Sequence, residues 1–383
     1  MNVPAADRPD DHEVTLLHRW DDLQGLAGAL RAAEPVSDFY STWPWFENLS
    51  AHGIEPAFER LFVVVRHRRR GSVFCLPLLV RPRAAAAVFG PVTGSLSNYY
   101  SSLFGPIGDP AAMTVPALRA AFAFLRRHRP AGVVDLQPLD PEAPLFERLA
   151  AALRAEAYVV DDYFCFGNWH LEVGGRSFAA YEPTIPSRLR NTIKRGRKKL
   201  ESAGAWTIRI QREPGAELES AIADIGAIYA KSWKVPEPFP QFVPGLCRAA
   251  AANGWLRLGV LRFEGQPIAA QLWVVKHGRA LIYKLAYDEE FKRFSAGSVL
   301  SAEMMRSAID EDHVDDVDYL TGDDAYKVDW MSHRRERRGL VAFHGRSLQG
   351  IVSLAKHRAG RWARKPPAAA PAPAADAVVD EGA

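Results

Sequence analysis

The stretch Val317–Phe343, VDYLTGDDAYKVDWMSHRRERRGLVAF, joins two strand-like runs through a polar loop. Val317 and Tyr319 alternate with polar neighbours, which is a strand signal. Thr321-Gly322-Asp323-Asp324 then turns the chain, Tyr326-Lys327 opens a short helix, and Gly339–Phe343 is a second apolar run. Strand, loop, short helix and strand can hold a carboxylate, a phenol and an ammonium around the mouth of one cleft. An ordinary strand end carrying solvated charges gives the same local pattern, so the choice rests on what precedes it.

Upstream the pattern is legible back to Trp206. Trp206–Gln211 alternates as a strand, and Leu218–Trp233 carries apolar residues at three- and four-residue steps, as a helix does. Pro236, Pro238 and Pro240 break it, and Phe242–Ala252 offers a second helix stopped by Asn253-Gly254. Trp255–Phe263 and Pro267–Lys276 flank Glu264-Gly265-Gln266, a hairpin signal, and Ala280–Tyr287 adds a third strand. The helix Ser298–Asp310 then leads into the opening stretch.

The first half follows the same order. Val14–Leu17 reads as a strand, Asp22–Ala33 and Trp43–His52 as helices, and Leu61–Arg66 with Ser72–Val80 as a hairpin. After the irregular region Ala87–Phe104 come the helix Val115–Arg127, the strand Val133–Gln137, the helix Pro144–Ala155 and the strand Tyr163–Leu171. The fold class expected is mixed α/β (α+β), with one unit repeated at the level of fold rather than of residues. The halves are expected at 1–170 and 171–345, each a central mixed sheet flanked by helices. The second includes a basic helix at 186–200, with Ser187 as N-cap and Leu189, Ile193 and Leu200 on one side. Residues 346–383 lose periodicity and end in an Ala/Pro-rich run expected to stay disordered.

Bulk properties agree with two cores. The chain has 383 residues, 48% hydrophobic and 24% charged, beyond the size of one ordinary core. A net charge of +3 excludes a grossly basic nucleic-acid coat but leaves room for a basic patch. Cys75, Cys165 and Cys247 are odd in number and widely spaced, which argues against a disulfide framework or a structural zinc site. The acidic N-terminus lacks the basic and apolar regions of a signal peptide, and no apolar run approaches a bilayer span. A cytoplasmic protein is expected. Oligomeric state is not encoded in any pattern found.

The order of elements, the basic helix Arg188–Leu200, Tyr287 and Phe291 ahead of Ser295-Ala296-Gly297-Ser298, and Asp318-Tyr319, Gly322-Asp323 and Tyr326-Lys327 together resemble the GNAT acyltransferase superfamily. They are most similar to its double-domain branch, which includes CelD-like proteins and Fem-type peptidyltransferases. Asn98-Tyr99-Tyr100-Ser101 resembles that branch's first-domain loop, and the resemblance runs from about Leu61 to Phe343. It implies a second copy that binds an acyl donor in a V-shaped opening between central parallel strands. An amine then attacks a thioester of acyl-CoA, or an ester of aminoacyl-tRNA. The enzyme's part is a polarising backbone amide, a phosphate cradle and a route for the amine's proton.

On that resemblance Lys292, Arg293, Ser295, Ala296, Gly297 and Ser298 are expected to cradle donor phosphates at a helix N-terminus, with Ser298 as a plain helix cap the competing reading. The usual cradle has two spaced glycines, and here only Gly297 is clear. Asp318 and Asp323 are the acidic candidates near the amine, against a reading of Asp318 as a strand-edge charge. Tyr326 is either a donor to the leaving group or a packed tyrosine. Lys327 is expected to bind an anionic substrate or donor phosphate. Asn98, Tyr99, Tyr100, Arg190, Lys194 and Tyr287 are the candidates for substrate contacts, against an equal reading of Asn98, Tyr99 and Tyr100 as a rigid loop packed on the second copy. The basic helix itself reads as a solvated surface, a cleft lining or a tRNA contact. His170, His277 and His313 lack metal-ligand spacing and read as structural, so no metal is expected.

The function expected is an N-acyltransferase that moves an acyl group from acyl-CoA to a small-molecule or saccharide amine bound between the halves, in cell-envelope or polysaccharide metabolism. Two rivals stand beside it: an aminoacyl-tRNA-dependent Fem-type transferase, the one reading with a nucleic-acid partner, and a non-catalytic GNAT-fold binding protein in polysaccharide assembly.

Overall fold

The structure is a computed structural model that describes residues 7–81, 90–232 and 234–363. Its strands are β1 His12–Leu17, β2 Glu59–His67, β3 Val73–Arg81, β4 Val92–Ser95, β5 Ile107–Gly108, β6 Val133–Leu139 and β7 Tyr158–Glu172 in the first half. The second half supplies β8 Trp206–Gln211, β9 Leu256–Phe263, β10 Gln266–Lys276, β11 Arg279–Tyr287, β12 Asp316–Asp318 and β13 His333–His344. They form one mixed sheet in the order β1-β2-β3-β4-β6-β13-β7-β12-β11-β10-β9-β8, with β5 on β3. The repeated order expected from the sequence is present, and hydrophobic periodicity is what carries it. The β9–β10 hairpin turns at Glu264-Gly265, both at positive φ, as a two-residue turn requires.

Two pairings in this sheet are parallel, β4 with β6 and β11 with β12. Both are short. The first ends at Gly94 opposite Asp135, and the second at Leu281 opposite Asp318. Past those points the strands part, so each half has its own V-shaped opening.

The halves do not separate at 170/171. That boundary falls inside β7, which pairs with β13 along nearly its whole length and with β12 at residues 170–172. β13, the last strand of the second half in sequence, sits between β6 and β7. Its register, Phe343 opposite Val133 and Val159, is set by apolar faces distant in sequence. The two halves therefore share a central strand pair.

Helices complete the halves' contact. Trp43–His52 and Phe242–Ala252, the second helix of each copy, pack against one another. Asn48 Nδ2 donates to the Phe242 carbonyl at 3.1 Å, and a Cβ on Gly245 would lie 2.1 Å from Asn48 Oδ1. One apolar core runs across this contact, from Trp45 and Phe46 to Phe242 and Leu246. A second core lies on the opposite face of the second half, under the helices Ser187–Ala203 and Ala296–Arg306.

Several expectations need correction. The helix expected over Asp22–Ala33 is a 3-10 turn, Trp20–Leu26, followed by a short α-helix, Ala27–Arg31. Ser187 is the first residue of its helix rather than the cap, because extended Pro186 occupies that position. The region after 345 begins with a helix, Leu348–Ala363. Gln349 ties it down, accepting from the Gly132 amide at 3.0 Å and donating to the Pro91 carbonyl at 2.8 Å, and His357 meets Asp161 at 2.8 Å. Residues 364–383, like Trp233 and part of Ala87–Phe104, lie outside the described residues. No described helix is long and apolar enough to cross a membrane.

Candidate active site

Each V holds a cavity. In the second half, Ile282–Leu285 of β11 form one wall and Tyr319, Leu320 and Thr321 the other, enclosing about 220 Å³. Tyr99, Tyr100 and Ser102 reach over from the first half, and Lys234, Asp324, Tyr326 and Lys327 complete the rim. In the first half, Ser97 and Asn98 after β4 face Gln137 and Pro138 of β6 across a cavity of about 600 Å³. Tyr99 and Thr321 line both cavities, so the two are neighbours that share these residues.

The β11 wall is irregular for a reason visible in its register. Leu272 pairs with Lys284 and Trp273 with Ile282, leaving Tyr283 unpaired as a bulge. A bulge takes backbone groups off the ladder and re-aims side chains. Tyr283 uses its hydroxyl to donate to the Tyr100 carbonyl at 2.9 Å. Lys284 forms an ion pair with Glu237, which also accepts from Tyr100. Tyr100 in turn stacks on Phe242 with ring centroids 3.8 Å apart, while Tyr99 is exposed beside it.

The loop after β12 is held from inside. Lys327 is buried, donates to the Thr321 carbonyl and the Gly322 carbonyl, and lies 3.0 Å from an Asp324 oxygen. Tyr326 packs edge-on against Tyr319, and partial burial beside Asp324 pushes its phenol up to about 12. Lys234 sits opposite. Its burial, reinforced by the neighbouring Lys284 charge, pulls its ammonium down to about 8. An amine with that value changes protonation near neutrality, where an ordinary lysine does not.

Of the residues expected from the sequence, Tyr326, Lys327, Tyr99 and Tyr100 line the second-half cavity, and Asn98 and Tyr99 the first-half one. Asn98 also accepts from the Tyr100 amide at 3.0 Å, which fixes the loop. The acidic candidates are not brought in. Asp318 is buried and spent on Asn168, the Leu320 amide and Arg335. Asp323 makes a two-pronged ion pair with Arg334, at 2.7 and 2.8 Å, packed so closely on Gly167 that any Cβ there would clash. Asp324, one residue on, is the carboxylate at the cavity.

The cradle residues Lys292, Arg293, Ser295, Ala296, Gly297 and Ser298 line neither cavity. They do open a helix, Ala296–Arg306, whose first i→i−4 bond runs from Val299 to Ser295, so the three amides before it are free of the helix ladder. Tyr287 stands against Gly297, where a Cβ would come within 3.3 Å of its ring. Arg190 and Lys194 also miss both cavities. Their helix presses Leu189, Ile193 and Leu200 onto the outer face of the second half, and Gly196 lets it approach the Phe294 carbonyl. It does not line the cleft. Lys234, Asp324, Tyr283, Lys284 and Glu237 were not anticipated. The Pro-rich break around Glu237 reads as a spacer, and only the fold reveals that it returns to the cavity.

Residues 187–328 match the protein family described as acetyltransferase (GNAT) domain. Among solved structures, the crystal structure of FemX superposes with a TM-score of 0.59 at 11% identity, covering 89% of this chain and 99% of that one. A conserved protein of unknown function from Bacteroides thetaiotaomicron VPI-5482 gives 0.54 at 10% identity, over 86% and 100%. A tandem GNAT protein from the clavulanic acid biosynthesis pathway gives 0.48 at 13% identity, over 88% and 99%. At these identities the likeness is one of fold. No curated protein matches the chain.

Proposed function

We propose that this chain, a double-domain protein of the GNAT superfamily, is an N-acyltransferase whose acyl donor occupies the second-half V and whose amine acceptor enters through the first-half V. The observation that carries this reading is that Tyr99 and Thr321 line both cavities. A two-substrate transfer needs both reactants in line and shielded from water, and two neighbouring openings with a common wall suit it.

The chemistry then divides among named groups. Backbone released by the bulge at Tyr283 polarises the donor carbonyl. Asp324 attracts the acceptor ammonium. The acceptor ammonium first gives one proton to solvent; neutral Lys234 takes the second as the amine nitrogen attacks the carbonyl carbon, and the Lys234 ammonium so formed delivers it to the thiolate that leaves as the carbon–sulfur bond breaks. Tyr326, at about 12, is a weaker acid than a thiol of about 8.5 and serves as a hydrogen-bond donor rather than a proton source. Lys234, at about 8, matches both halves of the exchange. Lys327 holds the loop that carries Asp324 and Tyr326. The free amides before Val299 are the candidate cradle for donor phosphates. The first-half cavity mixes Ile54, Phe58, Phe164 and Phe239 with Arg81, Asn98 and Tyr163, a lining suited to an amine on a saccharide or similar polar-apolar scaffold. Work on the cell envelope from the cytoplasm is consistent with such an acceptor.

A second reading, with aminoacyl-tRNA as donor, draws on the helix Ser187–Ala203, where Lys194, Arg195, Lys198 and Lys199 are exposed. The deciding experiment measures melting temperature with coenzyme A and with charged tRNA, followed by acyl transfer to amines. A coenzyme A shift abolished by Gly297→Trp supports acyl-CoA. Salt-sensitive tRNA binding without that shift moves the donor to tRNA. Neither effect, with no turnover, overturns the enzyme assignment in favour of a silent binding protein.

A further inference from the structure

We propose that His170, Glu172 and His333 form a divalent-metal site of the class that takes zinc, on the face of the sheet where β7 and β13 pair. His170 and Glu172 are two residues apart on one strand and so share a face. The β13 register sets His333 directly opposite His170. Three ligating side chains from distant parts of the sequence are thereby gathered by pairing alone, which is why their spacing carried no signal.

The geometry fits. One ligand atom from each residue lies within 4.8 Å of the others, with His170 Nε2 at 3.9 Å from Glu172 Oε1 and the imidazole centroids 5.5 Å apart. Tetrahedral zinc with bonds of about 2.0–2.1 Å needs donors roughly 3.4 Å apart. Glu172 is exposed, and its side chain is free to turn toward His170 without moving the strands. The fixed member is His170, only 9% exposed, whose Nδ1 is sealed from solvent with no hydrogen-bond partner. Its other nitrogen, Nε2, faces Glu172 and is the atom placed to meet a cation.

Supporting contacts complete the arrangement. Ser332 Oγ lies 2.7 Å from His333 Nδ1 and accepts from the Glu172 amide at 3.3 Å. With Nδ1–H donating to that hydroxyl, the Nε2 lone pair of His333 is left for metal, the usual outer-shell device for a histidine ligand. The nearby Arg335 guanidinium is committed to Asp318 and Asn168. A second cluster, Asp7, His12 and His67, shows the contrast. There His67 Nδ1 accepts from the Arg69 and Arg70 amides, so the ring proton sits on Nε2, facing Asp7 at 3.5 Å. That is a hydrogen-bonding tautomer rather than a ligand.

None of the three residues lines either cavity, and they join the two strands shared by the halves. The metal is therefore a clasp on the central strand pair, independent of the acyl-transfer reading. The test uses the full chain stripped with EDTA and dialysed against zinc. Equimolar retained zinc and a raised melting temperature are expected, both lost in His333→Ala and Glu172→Gln and both kept in His12→Ala. The two lost-function sites are exposed, and metal-free variants that melt with the wild type exclude misfolding. No retained zinc in the wild type, or equal retention in all variants, overturns the proposal.

Discussion

The Tyr100 phenol donates to a Glu237 carboxylate oxygen at 2.5 Å, bridging the loop after β4 in the first half to the Pro-rich segment of the second. Burial works to raise Glu237, but hydrogen bonds from Lys284 and Tyr100 outweigh it and hold the carboxyl below its ordinary value. The same carboxylate thus fixes Tyr100 over the cavity and Lys284 on β11. Tyr100→Phe keeps the stack on Phe242 and removes only the bond. A hydrogen bond to a charged group contributes about 1.5–3 kcal/mol, and chemical denaturation should find a loss in that range. Tyr100→Leu, which also forfeits the stack, should cost more.

Lys234 gives the pH dependence. Its folded value of about 8 lies below the ordinary lysine value. Between those values the unfolded chain holds a proton that the folded chain does not, so stability rises with pH across that window. Lys234→Met should therefore raise the melting temperature at pH 7, with the gain shrinking toward pH 10. In the acyl-transfer reading, wild-type kcat/KM should climb through an apparent pKa near 8. A flat profile there would remove Lys234 as the proton acceptor.

Asp323 and Asp324 separate function from fold at adjacent positions. Asp324→Asn should lower turnover or raise the acceptor KM well beyond what its melting temperature predicts, since buried Lys327 loses a counter-charge but keeps the Thr321 and Gly322 carbonyls. Asp323→Asn weakens an exposed ion pair with Arg334, worth about 0–1 kcal/mol, and a hydrogen bond with the Trp169 side chain, and should leave turnover unchanged. Equal kinetics in the two variants would remove Asp324 from the site.

The sequence made the repeat legible because each element announces itself by local periodicity and punctuation. Phe242–Ala252 is observed with the bounds its pattern implies. What local pattern cannot carry is long-range register. β13 reads as the end of the second half, yet it pairs with β6 and β7 of the first. The same blindness affected the site. Tyr326 and Lys327 follow a recognisable loop, whereas Lys234 reaches the cavity from a proline break and His333 reaches His170 only across a ladder. Asp318 shows the converse, since strand alternation offers it as a free edge charge and the fold buries it.

That burial makes Asp318 the sharpest structural test. Burial alone would raise its carboxyl, but Arg335, Arg337 and hydrogen bonds from Asn168 and the Leu320 amide outweigh it and hold the carboxyl below the ordinary carboxylate range. A carboxylate with a depressed folded value contributes stability that is complete above its unfolded value and is lost as pH falls through the folded one. Asp318→Asn leaves the Arg335 guanidinium with Asn168 but without its counter-charge between β13 and β12, and breaking a buried pair costs about 3–5 kcal/mol. The variant should melt well below wild type at pH 7, and the difference should narrow in acid as the wild-type carboxyl protonates. If Asp318 instead served as the reacting base, Asp318→Asn would abolish turnover at an unchanged melting temperature.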